Sequence, residues 1–383
     1  MQTRKLYYED CHLLQFSATV VDCQQTDKGY FVELDATAFY PEGGGQACDL
    51  GTLGGAAVLD VQEQGEAVLH LCDQPLAVGT QVAGQVDAAR RLDLQQQHTG
   101  EHIVSGIIHA MYGCHNVGFH VGAELITIDF DFPIPSEALA QIEEKANAAI
   151  YANLPVHCWY PSPEQLPGIP YRTKKALPWP VRLVQISGID SCACCGVHTA
   201  TTGEVGLIKL LSCVKFHQGV RIEMLCGKRA LLYLSRIYEQ NKLVSQAFSA
   251  KLLETGAAAQ RMNDALSAEK FRAAGLERQV FDFIAAGYAG KGDVVHFADG
   301  LTPGAVRELC ERIANLCGGT AAVFSGADDT GYSICLVNKA APVADLGKQL
   351  CAALQGRGGG KPGFFQGSVA ASRTQIEAFF RDV

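Results

Sequence analysis

The chain has 383 residues, 48% hydrophobic and 19% charged, enough to bury a full core and to form more than one domain. Its formal charge of −9 excludes a broadly basic nucleic-acid surface and leaves room only for a local basic patch. The opening residues lack the apolar run of a signal peptide and no stretch is long enough to span a membrane, so the 15 cysteines are expected as reduced thiols in a cytoplasmic protein.

Residues 1–90 read as β structure. Short apolar segments at Val20, Tyr30–Asp35, Gly51–Leu53, Ala57–Val61 and Val68–Leu71 alternate with Gly, Asp and Pro signals, the rhythm of a small barrel or sandwich. Residues 91–226 mix both element types. A helix is predicted over Leu94–Tyr112, ended by Gly113. A strand follows at Ile126–Asp131, then a helix capped by Ser136 and reaching about Ala152. Residues 227–290 predict a helical hairpin or coiled-coil segment, with Leu234, Ile237, Val244 and Phe248 at three-four spacing, Asn241 on the seam and a break at Gly256. Residues 291–383 predict a compact α/β module. There Thr302-Pro303 opens a helix lined by Val306, Leu309, Ile313 and Leu316, followed by strands at Ala321–Phe324 and Ser333–Val337. The fold class is α+β.

Two paired sets of metal-ligand residues stand out. His98-Thr-Gly-Glu-His102 puts two imidazoles one above the other on a helix face. Roughly ninety residues later, Cys194-Cys-Gly-Val-His198 supplies sulfur and nitrogen, and together the pairs suit zinc. Spacing alone leaves Cys194 and Cys195 both open as the sulfur donor. His109 lies two turns beyond His102, about 10 Å along a helix, and reads as structural. A zinc protease of the H-E-x-x-H type is excluded because position 99 is Thr. Four protein ligands usually close a zinc site, so the metal is expected to orient a substrate rather than carry the attacking water.

Two other segments bear on ligands. Thr37-Ala-Phe-Tyr-Pro-Glu42-Gly43-Gly44-Gly45-Gln46 is either a plain strand connection or a turn whose amides approach a ligand. Tyr171-Arg172-Thr-Lys174-Lys175, continuing to Trp179 and Arg182, offers basic residues with aromatics, as a single-stranded nucleic-acid end requires. The run Gly356-Arg-Gly-Gly-Gly-Lys361-Pro is not a Walker loop, since Gln355 and Pro362 replace its Gly and its Ser or Thr. It reads as a glycine-rich loop facing nucleic acid, or as a turn.

Phe39-Tyr-Pro-Glu-Gly-Gly-Gly-Gln46, His98-Thr-x-x-His102, Cys194-Cys-Gly-Val-His198 and Thr202-Gly-Glu-Val-Gly206 occur in the order and approximate spacing of the alanyl-tRNA editing domain. Over residues 1–226 the chain resembles that domain, and as a whole it looks like a freestanding AlaX protein in its long form. The helical stretch and the tail ending near Lys361 resemble the C-terminal DHH-associated domain of alanyl-tRNA synthetase, and no segment resembles the aminoacylation domain. The chain departs from the family's usual Cys-Gly-Gly-Thr-His by Cys195 and Val197.

The resemblance implies an ATP-independent trans-editing hydrolase of translation fidelity, an aminoacyl-tRNA deacylase acting on Ser-tRNA(Ala) or Gly-tRNA(Ala) without charging tRNA. It implies one Zn2+ per chain on His98, His102, Cys194 and His198. It sets Gln46 and Thr37 near the aminoacyl group as the catalytic pair and Glu42, Gly43, Gly44 and Gly45 near the terminal adenosine. Arg172, Lys174, Lys175 and Lys361 are the expected tRNA contacts, the partner is the acceptor end of tRNA(Ala), and the helical or C-terminal region is a candidate homodimer contact. Two other classes compete: a zinc-stabilised tRNA-binding module without hydrolysis, favoured by the four-ligand set, and a thiol redox protein using Cys192, Cys194 and Cys195.

Overall fold

The computed structural model describes residues 2–122, 124–173 and 179–381. The fold is mixed α+β, and the chain divides into two compact units, residues 1–243 and 244–383. The division falls inside helix α3 (Gly227–Ala247), so the helical stretch expected as a separate segment is shared between the units.

In the first unit six strands close into a barrel. Around the ring they run Gln15–Thr26, Gly29–Leu34, Ala67–Cys72, Ala56–Gln64, Gly51–Leu53 and Gln81–Val86, every neighbouring pair antiparallel. Alternate residues point inward, so Val20, Val32, Leu34, Leu53, Val58, Val61 and Val68 form the core. The polar side chain of His70 is buried among them. Its Nδ1–H donates to the Val32 carbonyl at 3.0 Å, and its Nε2 accepts from the Thr37 hydroxyl at 2.8 Å.

Burial pushes the His70 pKa down to about 4, because charging the ring there would strip it of water. The unfolded chain takes up a proton below about 6.5, which the folded chain refuses until about 4. Stability is therefore expected to be flat above pH 6.5 and to fall as pH drops from there toward 4. Between pH 7 and 5 the loss attributable to His70 is about 2 kcal/mol. Urea unfolding at the two pH values, compared between wild type and His70→Gln, checks this: the variant should lose that part of the slope.

Helix α1 (Ala88–Tyr112) follows the barrel. It begins six residues before the predicted start because Asp87 caps it, accepting from the amides of Ala89 and Arg90; Gly113 ends it in the left-handed conformation. Almost every residue from Leu94 to Ile108 is buried. Ile103, Val104, Ile107 and Ile108 share a core with Ile126, Ile128, Phe130, Ile222 and Met224. These last come from an antiparallel sheet ordered Ile208–Phe216, Gly219–Cys226, Ile126–Phe130, Asn116–Val121. Helix α2 (Leu139–Tyr151) packs on α1. Ser136 does not cap it. A single 3-10 turn, Ser136–Ala138, precedes α2, and no side chain caps either element. A second antiparallel sheet, Val156–Trp159, Leu183–Ile186 and Asp190–Ala193, meets α1 along its last strand. His109 Nδ1–H donates to the Cys114 carbonyl at 2.9 Å, in a structural role.

The second unit contains α4 (Thr255–Ala286), α5 (Pro303–Cys317), α6 (Ala344–Ala353) and α7 (Arg373–Arg381). The helical break spans residues 248–254, just ahead of Gly256, which lies in the first turn of α4. Five strands form one sheet in the order Gly292–Phe297, Gly318–Ala327, Gly331–Val337, Phe364–Val369, Arg357–Lys361, with only the first pair parallel. Thr302 Oγ1 caps α5 by accepting from the Ala305 amide. The glycine run expected as a loop is instead an edge strand, its backbone paired with Phe364–Val369 from Arg357 opposite Ser368 to Lys361 opposite Phe364. Lys361 is exposed there. Among the described residues no helix is long and apolar enough to cross a membrane.

Candidate metal centre

His98 and His102 leave one face of α1 a turn apart, their ring centroids 5.4 Å from each other. The loop after Asp190–Ala193 brings His198 to 4.5 Å and 4.7 Å from those rings. One ligand atom from each of His98, His102, Cys194 and His198 lies within 4.8 Å of all the others, a set able to hold a metal ion. Cys194 Sγ is 3.4 Å from His98 Nε2. Cys195 is exposed and stands outside the set, its carbonyl accepting from the Tyr8 hydroxyl at 2.6 Å.

Each imidazole is held through Nδ1. His98 Nδ1–H donates to Gln46 Oε1 at 2.7 Å, and His102 Nδ1–H donates to Asp190 Oδ2 at 2.9 Å. His198 Nδ1 lies 3.3 Å from Thr99 Oγ1, which also accepts from the Thr199 amide. The acceptors fix the tautomers of His98 and His102, so both turn an unprotonated Nε2 to the common centre. His198 Nε2 is buried with no hydrogen-bond partner among the described residues. An ion between the four donors satisfies that orphaned nitrogen, and the donor types suit a borderline-soft cation.

The electrostatics of His198 and Cys194 agree with this donor set. At His102 burial acts to lower the pKa, but the Asp190 and Cys194 hydrogen bonds outweigh it and hold it well above its ordinary value, so an ion there would displace a proton. Burial and then the neighbouring His98 push the His198 pKa down to about 3, keeping the ring neutral as a ligand must be. For Cys194 burial acts to raise the thiol, but His98 and then His102 and His198 outweigh it and hold it well below its ordinary value. A thiolate beside neutral imidazoles is the state that binds a metal.

Two glycines are required by close approach. A Cβ on Gly196 would lie 2.2 Å from His98 Cε1, and one on Gly106 would lie 2.4 Å from the Ile189 carbonyl oxygen and 2.7 Å from Asp190 Cβ. Gly196 thus lets the cysteine loop close over His98, and Gly106 lets Asp190 reach His102.

Several expected ligand contacts are placed elsewhere. Arg172 is not free for phosphate: Nε and Nη2 donate to the two oxygens of Asp190 at 2.7 and 2.8 Å, making Asp190 the bridge between a guanidinium and His102. The reason is charge balance, since a carboxylate this deeply buried needs a cation. Arg182 is likewise taken, donating to the carbonyls of Cys194 and Gly196 at 2.9 Å each and lying over the Tyr8 ring. Thr37 is not among the residues lining the cavity beside the metal set, because its hydroxyl is committed to His70 inside the barrel. Gln46 stands behind His98 rather than in the cavity. Gly43 and Gln46 close the glycine turn by two backbone hydrogen bonds of 3.0 Å, with Glu42 exposed and Gly44 on the cavity wall. Lys174 and Lys175 lie outside the described residues.

The cavity measures about 310 Å³ and is lined by His98, Glu101, His102, Asn116, Phe119 and Cys194 among others. That is the size of a small-molecule site. Asp190, Thr99, Glu101 and Asn116 carry no motif of their own, and only the neighbourhood of Thr99 and Glu101 to the histidines marked them in the sequence.

Asp190→Asn is expected to weaken metal binding about 10- to 100-fold, the usual cost of losing such a support. The substitution removes the charge that pairs Arg172 and weakens the acceptor for His102. Competition with a chromophoric chelator measures it, with Ser191→Ala as a neighbour expected to leave affinity unchanged.

Comparison with known families matches three segments of the chain. Residues 2–90 match the model of class II (A) tRNA synthetases, residues 181–223 the threonyl and alanyl tRNA synthetase second additional domain, and residues 290–383 the DHHA1 domain. The first of these matches falls on the barrel. Over 98% of its length the chain is 29% identical to the alanyl-tRNA editing protein Aarsd1-A of Xenopus laevis, covering 96% of that protein. The same identity relates it to the Aarsd1 editing protein of Mus musculus, over 98% of the chain and 97% of the relative. It is 32% identical to an alanine–tRNA ligase of Thermofilum pendens, over 97% of the chain but 43% of the ligase.

Proposed function

The chain belongs to the family of alanyl-tRNA editing proteins, and on that premise we propose that it removes wrongly attached serine or glycine from tRNA(Ala) by hydrolysing the ester bond. It does so in trans, without ATP and without charging tRNA. The observation that carries the reading is the set His98, His102, Cys194 and His198 opening on a cavity that Gly44 also lines.

In this reading the four side chains would hold one Zn2+ per chain, and such an ion would supply orientation and polarisation of the ester carbonyl. Gln46, Asp190 and Thr99 keep the imidazoles aimed, and the turn Gly43–Gly45, beside the exposed Glu42, borders the place of the terminal adenosine. An aminoacyl ester is already activated, so positioning and carbonyl polarisation supply the larger share of the rate. The acceptor end of tRNA(Ala) is the partner, with Lys174, Lys175 and Lys361 as phosphate contacts. The protein acts in the cytoplasm, and its apolar helical segment serves a homodimer. Residues 1–90, 91–226, 227–290 and 291–383 are taken as its four functional segments.

Incubation with Ser-tRNA(Ala), Gly-tRNA(Ala) and Ala-tRNA(Ala), with and without chelator, tests the proposal. Loss of the mischarged esters alone, prevented by chelation, is the expected result; no turnover of either mischarged species would sink it. The closed four-donor set favours one other reading, a metal-stabilised tRNA-binding module, which that second outcome would leave standing. Lys361→Ala is expected to weaken tRNA binding modestly and to lower the slope of log affinity against log salt by roughly one. A filter-binding titration across salt concentrations reads this, and an unchanged slope would make the glycine-rich edge strand a purely structural element.

A further inference from the structure

Glu101 stands between the two histidines of α1 yet takes no part in the metal set. Its side chain is almost wholly buried, and one carboxylate oxygen is fully engaged. Oε1 accepts from Ser105 Oγ at 2.5 Å and from Asn116 Nδ2 at 2.5 Å. The other oxygen, Oε2, lies 3.9 Å from His102 Nε2 and accepts no hydrogen bond from the described residues. Glu101 and Asn116 both line the cavity, opposite neither a lysine nor a free arginine among the described residues there, since Arg172 is held by Asp190.

Asn116 adds an independent observation. Its Nδ2 is spent on Glu101, and its Oδ1 is buried without a partner among the described residues. The pair therefore holds two acceptors without donors among the described residues, Asn116 Oδ1, which is buried, and Glu101 Oε2, on a carboxylate that lines the cavity beside the metal set. Unpaired buried acceptors are costly, and a buried carboxylate calls for a cationic guest with N–H groups to give. The aminoacyl ester has one such group, the α-ammonium. It has three donors and is attached to the carbon next to the reacting carbonyl, so a carboxylate oxygen 3.9 Å from His102 Nε2 is within reach of that ammonium when the carbonyl sits at the metal set.

We propose that Glu101, held by Ser105 and Asn116, receives the α-ammonium group of the aminoacyl ester and thereby sets the carbonyl against the metal set. This rests on the editing reading above. It makes the site selective for amino acids with a free amine, and it assigns a recognition role to the one acidic side chain on α1 that faces the cavity.

The test compares seryl-tRNA(Ala) with N-acetylseryl-tRNA(Ala), whose nitrogen carries no charge. Wild type is expected to favour the free amine by at least about tenfold in kcat/KM, since hydrogen bonds to a charged group are worth that or more. Glu101→Gln is expected to lose most of this preference through a slower free-amine reaction, with N-acetyl turnover and zinc content little changed. Equal wild-type rates on the two esters would overturn the proposal, and so would an equal fall on both esters in the variant. The wild-type comparison stands even if the variant fails to fold. A calorimetric arm uses the 3′-seryl amide of adenosine and its N-acetyl form as non-hydrolysed ligands. If no ester turned over, the editing reading would fail, and this arm alone would decide: tighter binding of the free amine by wild type supports the role of Glu101, and equal binding or no binding overturns it.

Discussion

Cys194→Ser is expected to empty the metal set and to slow deacylation of mischarged tRNA(Ala) by two orders of magnitude or more. A serine hydroxyl is not ionised at neutral pH, whereas the Cys194 thiol is drawn well below its ordinary value by the surrounding imidazoles despite its burial. Replacing the sulfur removes the only anionic donor of the four. The remaining imidazoles then face one another around a neutral group that ligates weakly. Metal analysis of the purified variant should give far less than one zinc per chain, and its ester hydrolysis should match chelator-treated wild type. Cys195→Ser is the matched control: that thiol is exposed, one residue away and outside the set, so metal content and rate should hold. Full zinc and full turnover in Cys194→Ser would refute the assignment.

The second large effect concerns stability. Arg91, in the first turns of α1, is fully buried, and so is its partner Asp49. Its Nε and Nη2 reach both carboxylate oxygens, Nη2 also donates to the Ala38 carbonyl at 2.5 Å, and Asp49 Oδ2 accepts from the Tyr40 amide at 2.6 Å. Truncating one partner leaves the other charge buried and alone, which costs about 3–5 kcal/mol. Arg91→Met should therefore unfold at markedly lower denaturant, by an amount that consumes a third or more of a typical domain's stability. The double variant Arg91→Met/Asp49→Leu should recover much of the loss, because it removes both charges together. Chemical denaturation of the three proteins measures this, and additive losses in the double variant would contradict it.

The two predictions meet in one stretch of chain. Residues 38–49 carry the Arg91 anchor at both ends and Gln46 between them. A weakened anchor should thus also lower metal affinity, through the support that Gln46 gives His98.

What the sequence discloses follows the range of each interaction. The pairs His98/His102 and Cys194/His198 are legible because each lies within a single local segment, where helical or loop spacing fixes what can meet. Their supports are not: Gln46 is 52 residues from His98, and Asp190 is 88 from His102. Nothing in a local window marks them. Arg172 and Arg182 show the same limit from the other side, since a run of basic residues states its charge but not whether a buried acceptor has already claimed it. For secondary structure, the Thr302-Pro303 start is readable because cap and proline act within one turn. The early start of α1 is less so, because its first residues are polar and only Asp87 announces them. The glycine run near Lys361 misleads for a third reason: strand pairing belongs to the partner, and glycine does not prevent an edge strand from forming.

The three Nδ1 supports come from three separately built parts of the chain. Gln46 belongs to the connection between the barrel strands Gly29–Leu34 and Gly51–Leu53, Asp190 to the last strand of the small sheet, and Thr99 to α1 itself. The donors are therefore aligned only when all three have docked. A nascent or damaged copy with any one of them adrift presents scattered histidines instead of a receptor for an ion. Competence to hold an ion thus requires all three parts to be in place at once, so the site doubles as a test of whether the chain around it is folded.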